Sequence, residues 1–178
     1  MQLQKSNSLN FFSKIFLLFI ITTTIIGCKK DPVIFGNNTT RIAFGSCGSQ
    51  NNDLPIFNVI TDHNPDLFIF LGDNIYGDTE DMNVLRNKYN QLGSKASYQN
   101  MKQNIPIIAT WDDHDYGWND AGKYYKYKQQ SKEIFLDFFE EPLNSTRRQH
   151  EGIYHAETYN IGDKKLQIIL LDNRTFRS

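Results

Sequence analysis

The sequence predicts an α/β fold in one domain. Two observations predict it: apolar, strand-like runs alternate with segments of helical periodicity, and the strand-like runs are apolar throughout, as in parallel strands covered on both faces. The chain has 178 residues, of which 39% are apolar and 22% are charged. This length and composition suit one globular domain and exclude disordered and disulfide-rich classes of protein.

Strands are predicted where short apolar runs are bounded by polar or turn residues. The predicted strands are residues 42–44, 66–71, 105–111, 154–161 and 165–171. The last two form a hairpin that turns at Gly162 and Asp163. We expect this hairpin to add an antiparallel part to a mainly parallel sheet.

Helices are predicted where apolar side chains recur every three or four residues. The predicted helices are residues 54–62, 81–92, 97–104 and 130–141. Ser97 is a candidate cap for the third helix, and Pro142 ends the fourth because proline cannot continue a helix. Strands and helices therefore alternate as in βαβ units.

The first 27 residues predict an export signal rather than part of the fold. A basic segment precedes the apolar run 15–26, which is too short to span a bilayer comfortably. The run ends at Gly27 and Cys28 and resembles the bacterial lipobox, in which the cysteine is lipidated; the alternative is an ordinary secretory signal. We expect export, a lipid anchor on Cys28 in a bacterial membrane (periplasmic or cell-surface), and a tether over residues 28–40.

The charge balance gives no basis for nucleic acid as a partner. Lys plus Arg number 19 and Asp plus Glu number 20, so the net charge is -1. One short segment, 123–128, mixes lysines and tyrosines in the manner of a polyanion-binding surface. We interpret it instead as the solvated start of a helix or as a lid over the functional site.

Four of the predicted strands end in acidic or metal-binding side chains. These are Cys47, Asp73, the pair Asp112 and Asp113, and Asp172. Ligands of open α/β sheets collect at the carboxyl edge of the strands, so we expect these side chains to meet there. Crowded carboxylates and a thiol resist ionisation unless a cation neutralises them. The sequence therefore predicts a metal site at this edge.

The side chains around the predicted site indicate which metals suit it. Asp73 and Tyr76 face one point if the segment GDNIYGD makes a tight turn. The phenolate of Tyr76, together with the thiolate of Cys47, favours Fe(III) over Mg²⁺. Four further acids are hard oxygen donors that suit Ca²⁺ nearby, namely Asp78, Glu80, Asp81 and Asp115.

A histidine directly follows one of the predicted metal ligands. Asp113 precedes His114, which can orient an oxyanion or protonate a leaving oxygen near a bound substrate. The alternative is a solvated acidic loop whose histidine bonds to a carbonyl. The remaining histidines, His63, His150 and His155, are interpreted as surface or structural residues.

Four segments carry a resemblance to a known family. They are GSC at 45–47, GDNIYGD at 72–78, TWDDHD at 110–115 and LDNRTFR at 171–177. In order, spacing and strand context they resemble the PhoD-like metallophosphatases, the alkaline phosphatase D family of the calcineurin-like metallophosphoesterase superfamily. The resemblance covers residues 41–178 and implies the N-terminal part of a four-layer α/β/β/α sandwich.

The resemblance also implies roles for the site residues. Cys47, Asp73 and Tyr76 would hold iron, and Asp73 would bridge to a second metal. Asp113 stands where related enzymes have asparagine in their GNHE motif, and His114 matches that motif's histidine, beside the phosphate. The implied cofactors are Fe(III) and Ca²⁺, with Zn²⁺ or Mn²⁺ as alternatives.

The implied reaction is the hydrolysis of phosphate mono- or diesters, small or polymeric, by metal-activated hydroxide. Arg174 would either hold phosphate oxygens through its bidentate fork or pair with Asp172 to hold the strand end. The family's downstream half, with a GDxH-like element, has no counterpart, so we expect an incomplete domain that is inactive or nearly so alone. The alternative function is a non-catalytic, metal-binding surface lipoprotein.

Overall fold

The computed structural model describes residues 34–35 and 39–178. Its elements are β1 (Ile34–Phe35), β2 (Ile42–Gly45), α1 (Ile56–Asp62), β3 (Leu67–Leu71), α2 (Met82–Gly93), α3 (Ala96–Asn104), β4 (Ile107–Thr110), α4 (Asp113–Tyr116), α5 (Lys128–Phe138), α6 (Thr146–Gln149), β5 (His155–Ile161) and β6 (Lys164–Leu170). The predicted export signal, its lipidation site Cys28 and most of the predicted tether lie outside the described residues. Within the described ranges, no helix has both the length and the apolar character needed to cross a membrane.

Strands β2, β3 and β4 form a parallel sheet with β3 in the centre. Residues 67–70 of β3 are all buried, because a central parallel strand is covered on both faces. Parallel strands end at the same edge of their sheet. The loops that follow β2, β3 and β4 therefore lie side by side, and they carry Cys47, Asp73 and Asp113. The α/β fold class predicted from the sequence is confirmed.

Strands β5 and β6 form the predicted antiparallel hairpin, with His155 opposite Leu170 and a turn at Gly162 and Asp163. The sequence pattern predicts that this hairpin adds to the mainly parallel sheet, and that prediction is wrong. The hairpin belongs to a second sheet, in which β5 also pairs with β1. Along its strands, buried or half-buried residues alternate with exposed ones, as expected for a sheet with one covered face.

The two sheets pack face to face. Leu67, Ile69 and Ile108 of the parallel sheet contact Tyr159 and Leu170 of the hairpin, and all five are buried. The opposite face of the parallel sheet is covered by helices, whose buried aromatic side chains include Phe57, Tyr89, Tyr98 and Phe135. The described residues thus form an α/β/β arrangement, which is three of the four layers that the family resemblance implies.

The helix boundaries follow capping chemistry. Asp81 accepts hydrogen bonds from the backbone N–H groups of Asn83 (2.8 Å) and Val84 (3.4 Å), so it caps the N-terminus of α2. The prediction that Ser97 caps α3 is wrong, because α3 already begins at Ala96. The Ser97 hydroxyl donates instead to the carbonyl of Asp53.

Candidate metal centre

The loops after β2 and β3 are fastened to each other at the carboxyl edge of the parallel sheet. The backbone N–H of Cys47 donates to the carbonyl of Gly72 (3.3 Å), and that of Gly48 donates to the carbonyl of Asp73 (3.0 Å). Cys47 and Asp73 both adopt positive φ, at 60° and 50°. Such backbone conformations are costly for residues with a side chain and cluster at functional sites.

Gly72 allows the loops after β3 and β4 to approach closely. Its φ is 107°, and a Cβ atom there would lie 2.7 Å from both the Cβ and the backbone nitrogen of Asp112. Only glycine fits this position. The residue that follows it, Asp73, is therefore held against the loop that carries Asp113 and His114.

Asp73, Asp113 and His114 form the one group of three or more metal-competent side chains within the described residues. Each offers a ligand atom, and these atoms lie within 4.8 Å of one another. Ligands on opposite sides of one ion can be that far apart, because metal–ligand distances are about 2.0–2.6 Å.

One oxygen atom of this group indicates that a cation fits. Oδ1 of Asp73 is buried and has no hydrogen-bond partner among the described residues. A buried carboxylate oxygen without a donor is costly unless a positive charge neutralises it. The donor set and this orphaned atom together fit a metal ion bound at Asp73.

The two carboxylates differ in their electrostatic environment. Burial raises the pKa of Asp73, and the nearby charge of Asp113 adds to the rise. Burial also raises the pKa of Asp113, but the N–H of Asp120 (2.7 Å from Oδ2) and the charge of Arg174 outweigh it and leave the pKa below its usual value. The protein itself therefore favours the ionised form of Asp113. The ionised form of Asp73 is disfavoured by burial, so a bound cation stabilises it more than it stabilises that of Asp113.

His114 is oriented by a second carboxylate. Its Nδ1 lies 2.7 Å from Oδ1 of Asp78, and its ring packs on that of Tyr76 with the centroids 4.4 Å apart. Burial lowers the pKa of His114, but the bond to Asp78 outweighs it and the pKa is raised overall. Because Asp78 occupies Nδ1, Nε2 is the ring atom left for a ligand.

Cys47 and Tyr76 lie next to the three-residue group. The Cys47 thiol donates to Oδ2 of Asp73 at 3.6 Å. Buried Gln50 fixes the backbone of Tyr76, accepting from its N–H (2.8 Å) and donating to its carbonyl (3.3 Å). Burial raises the pKa of the Tyr76 phenol, and neighbouring Cys47 raises it further. The structure thus brings the predicted ligands Cys47, Asp73, Tyr76 and Asp113 together, and their binding of metal stays a prediction.

Arg174 lies beside the group, on the loop after β6. Its Nε bonds to Oδ1 of Asp112, and its Nη2 lies 3.6 Å from Oδ1 of Asp113. Its Nη1 is buried and has no hydrogen-bond partner within the described residues. The guanidinium does not hold the strand end through Asp172. Arg174 contacts that carboxylate through its backbone N–H, which donates at 2.9 Å.

Asp172 does not join the metal group, so the expectation that all four strand ends supply it is wrong there. Its carboxylate accepts from the Trp111 indole (3.0 Å), from the Thr175 hydroxyl (2.7 Å) and from the backbone N–H groups of Ile153, Arg174 and Thr175 (2.9 Å each). Burial raises its pKa, but these bonds outweigh it and lower the pKa overall. Asp172 is a structural carboxylate that ties the end of β6 to its neighbours.

The four acids predicted to suit Ca²⁺ do not gather into one site. Each has another partner: Asp78 bonds to His114, Glu80 pairs with Lys126, Asp81 caps α2, and Asp115 accepts backbone N–H groups. The binding of Ca²⁺ by these acids stays a prediction. His63, His150 and His155 also lie outside the metal group, as predicted.

Sequence reasoning missed the residues that support the group. Gln50 gave no signal, and the pairing of Asp112 with Arg174 could not be foreseen, because the partners Tyr76 and Arg174 are 26 and 62 positions away. Asp115 could have been found: it stands three residues after Asp112, the spacing of a capping box, and the structure contains that box at the start of α4.

Asp115 joins the two loops that carry the metal group. It is fully buried, and its carboxylate accepts from the N–H groups of Asn74 (3.1 Å) and Asp112 (2.7 Å). Asp115→Asn places an amide NH₂ against one of these donors. We expect the affinity for Zn²⁺, measured by calorimetric titration, to fall about 10–100-fold, the usual effect of losing a partner that orients ligands.

The exposed turn residue Asp163 offers the matched control, since Asp163→Asn removes the same charge far from the loops. It should leave the affinity unchanged. A folded Asp115→Asn variant that binds Zn²⁺ as tightly as the unmodified chain would contradict this role.

Known proteins share this fold and sequence pattern. A family model described as PhoD-like phosphatase matches residues 42–178. A solved structure titled "Structure of PhoD" is similar with a TM-score of 0.62 and 19% identity, over 78% of this chain and 32% of that chain. The chain thus spans about a third of that protein's length, and at this identity the likeness shows the fold alone. No curated protein matches the chain.

Proposed function

The chain belongs to the PhoD-like phosphatase family, and on that premise we propose that it forms the metal- and phosphate-binding part of a metal-dependent phosphoesterase. One observation carries the proposal. Oδ1 of Asp73 belongs to the metal group, which includes Asp113. Nη1 of Arg174 belongs to a guanidinium whose Nη2 lies 3.6 Å from Oδ1 of Asp113. Both Oδ1 and Nη1 are buried and have no hydrogen-bond partner within the described residues. A cation can neutralise the carboxylate oxygen, and a phosphate oxygen can accept a hydrogen bond from the guanidinium nitrogen.

The residues that would hold the metal are Asp73 and Asp113, with Cys47 and Tyr76 beside them. A thiolate and a phenolate suit Fe(III), with Zn²⁺ or Mn²⁺ as alternatives. When bound, such a metal supplies Lewis acidity and makes hydroxide available near neutral pH for attack on phosphorus.

Arg174 is suited to binding the phosphate. Its Nε and Nη2 are held by the carboxylates of Asp112 and Asp113, so the guanidinium is fixed before a ligand arrives. Its free Nη1 can then donate to a phosphate oxygen without further loss of side-chain freedom.

His114 is suited to transferring a proton. Asp78 fixes the ring through Nδ1 and raises the pKa, which keeps more of the protonated form present near neutral pH. We propose that Nε2 of His114 protonates the leaving alcohol oxygen of a phosphate mono- or diester.

We propose the same setting that the sequence predicts: export and a lipid anchor at Cys28, with small or polymeric phosphate esters as substrates. The three-residue metal group offers fewer ligands than two metal ions need. We therefore expect the 178-residue chain alone to bind metal and phosphate but to hydrolyse esters slowly.

Hydrolysis of 4-nitrophenyl phosphate and bis(4-nitrophenyl) phosphate tests the proposal. Both esters are offered to the iron-loaded and Ca²⁺-supplemented chain, and to any longer product of the same gene. We expect the chain alone to release 4-nitrophenolate slowly, and a longer product, where the gene encodes one, to hydrolyse the esters faster. Metal binding without hydrolysis of either ester by any product would favour a non-catalytic, metal-binding protein.

Arg174→Lys tests the phosphate contact directly. Lysine keeps the charge but cannot hold Asp112 and a phosphate oxygen at once through a planar fork. We expect the affinity of the Zn²⁺-loaded chain for inorganic phosphate to fall about tenfold or more, because a hydrogen bond between charged groups contributes about 1.5–3 kcal/mol.

The control is Arg177→Lys, since Arg177 pairs with exposed Asp120 and not with the metal group. Calorimetry should give it the phosphate affinity of the unmodified chain. An Arg174→Lys variant that also retains this affinity would remove Arg174 from the proposed site.

A further inference from the structure

An open cavity of about 520 Å³ lies beside the metal centre. Its lining includes Trp118, Tyr124 and Tyr125, together with the acids Asp78 and Glu80. This volume lies in the range of small-molecule sites and is large enough for one ring system.

The cavity shares a wall with the proposed phosphate site. Asp78 lines the cavity, and its Oδ1 also bonds to Nδ1 of His114 at 2.7 Å. A phosphate beside Nε2 lies across the His114 ring from Asp78, so the organic group must extend past this ring to enter the cavity.

The cavity exposes two large aromatic rings. Trp118 is 53% exposed and Tyr124 is 86% exposed, so both rings are accessible to a ligand in the cavity. One face of the Tyr124 ring has Lys123 Nζ over it, 5.0 Å from the centroid. The indole of Trp118 is available for stacking with a flat ligand.

The wall behind these rings is rigid. Tyr125 is buried, and its hydroxyl donates to the carbonyl of Thr79 at 3.0 Å. A Cβ atom at Gly117, where φ is 145°, would lie 2.4 Å from the hydroxyl oxygen of Tyr125. The turn that leads to Trp118 is therefore set by close packing, and the cavity is formed before any ligand binds.

The charges around the cavity disfavour a second anionic group. The lining includes the acids Asp78 and Glu80 and, among the described residues, no lysine or arginine. Lys126 pairs with Glu80 (2.8 Å), and Lys128 pairs with Glu151 (2.6 Å). Two of the three lysines of segment 123–128 are thus held in ion pairs, and Tyr124 and Tyr125 contribute to the cavity wall.

We propose that this cavity binds the organic group of the phosphate ester, and that this group is an uncharged aromatic ring. The inference rests on the proposed function, because the phosphate must sit at the metal centre. It identifies the substrates as aromatic esters with a single phosphate, with Trp118 as the principal stacking residue and Tyr124 as a second.

The test compares phenyl, cyclohexyl and ethyl phosphate as ligands of the Zn²⁺-loaded full chain. Calorimetry measures each affinity, and a fluorescence change that is absent from Trp118→Ala reports Trp118, the exposed one of the two tryptophans. We expect phenyl phosphate to bind at least about tenfold more tightly than ethyl phosphate, and cyclohexyl phosphate, which has no π face, to bind less tightly than phenyl phosphate.

Two variants locate the effect. Trp118→Ala should abolish the preference for phenyl phosphate while the affinity for ethyl phosphate stays unchanged. Phe44→Ala removes another exposed ring, on β2 and outside the cavity lining, and should keep the preference.

Each other outcome overturns the inference. Equal affinity for phenyl and ethyl phosphate overturns it and leaves the proposed function standing, whereas equal affinity for phenyl and cyclohexyl phosphate overturns the aromatic class of ligand. Binding of no phosphate ester by the Zn²⁺-loaded chain overturns the proposed function as well. A Trp118 signal that depends on protein concentration instead of ligand assigns the rings to contact between two copies of the chain.

Discussion

Asp73→Asn is expected to lower the affinity of the chain for metal by more than about 100-fold. Loss of an outer partner of a ligand usually lowers metal affinity about 10–100-fold, and Asp73 is placed as a ligand itself. Asparagine keeps the size of the side chain but removes the negative charge from the buried, unpartnered Oδ1. Calorimetric titration with Zn²⁺ and the metal content after gel filtration measure the loss.

The same variant distinguishes a metal ligand from a structural acid. Burial and the charge of Asp113 raise the pKa of Asp73, so its ionised form is disfavoured in the metal-free protein. We therefore expect metal-free Asp73→Asn to be at least as stable as the unmodified chain. Asp62→Asn, at an exposed position at the end of α1, should change neither property. Retained metal affinity, or strong destabilisation without metal, would contradict the assignment.

Asp172→Ala is expected to have the opposite profile, a large loss of stability with metal binding retained. Its carboxylate accepts five hydrogen bonds, and the substitution leaves the Trp111 indole and the Ile153 N–H without a partner. Each buried donor left without a partner costs about 1–3 kcal/mol. Urea unfolding of the metal-free chain gives the change in the free energy of unfolding.

The matched control for stability is Asp62→Ala, which should shift the free energy of unfolding by less than about 0.5 kcal/mol. The folded fraction of Asp172→Ala should still bind Zn²⁺, because Asp172 is not in the metal group. A small loss of stability, or loss of metal binding from folded protein, would mean that Asp172 belongs to the site after all.

The elements of the parallel sheet are predictable because their signals are local. Strand β3 is a single apolar run bounded by Pro65 and Gly72, and α2 begins one residue after Asp81, a capping residue. The second sheet is not predictable in this way. The pairing of Ile34 with Asn160 joins residues far apart in sequence, and no local pattern specifies which strand such a segment meets.

The convergence of Cys47, Asp73 and Asp113 is predictable because parallel strands deliver the residues that follow them to one edge. The same reasoning fails for Asp172. It follows β6, which belongs to the second sheet, and donors from Trp111 and Ile153 occupy its carboxylate. Which acid stays free for a metal depends on donors supplied by distant elements.

The most direct test is the anomalous diffraction of crystals of the iron-loaded chain, measured at the iron absorption edge. The structure predicts a peak within about 2.0–2.6 Å of Oδ1 of Asp73, with a carboxylate oxygen of Asp113 also in contact. A peak bound only by other acids, with none beside Asp73, would contradict the account. So would loaded crystals in which Oδ1 of Asp73 instead accepts a hydrogen bond from the protein.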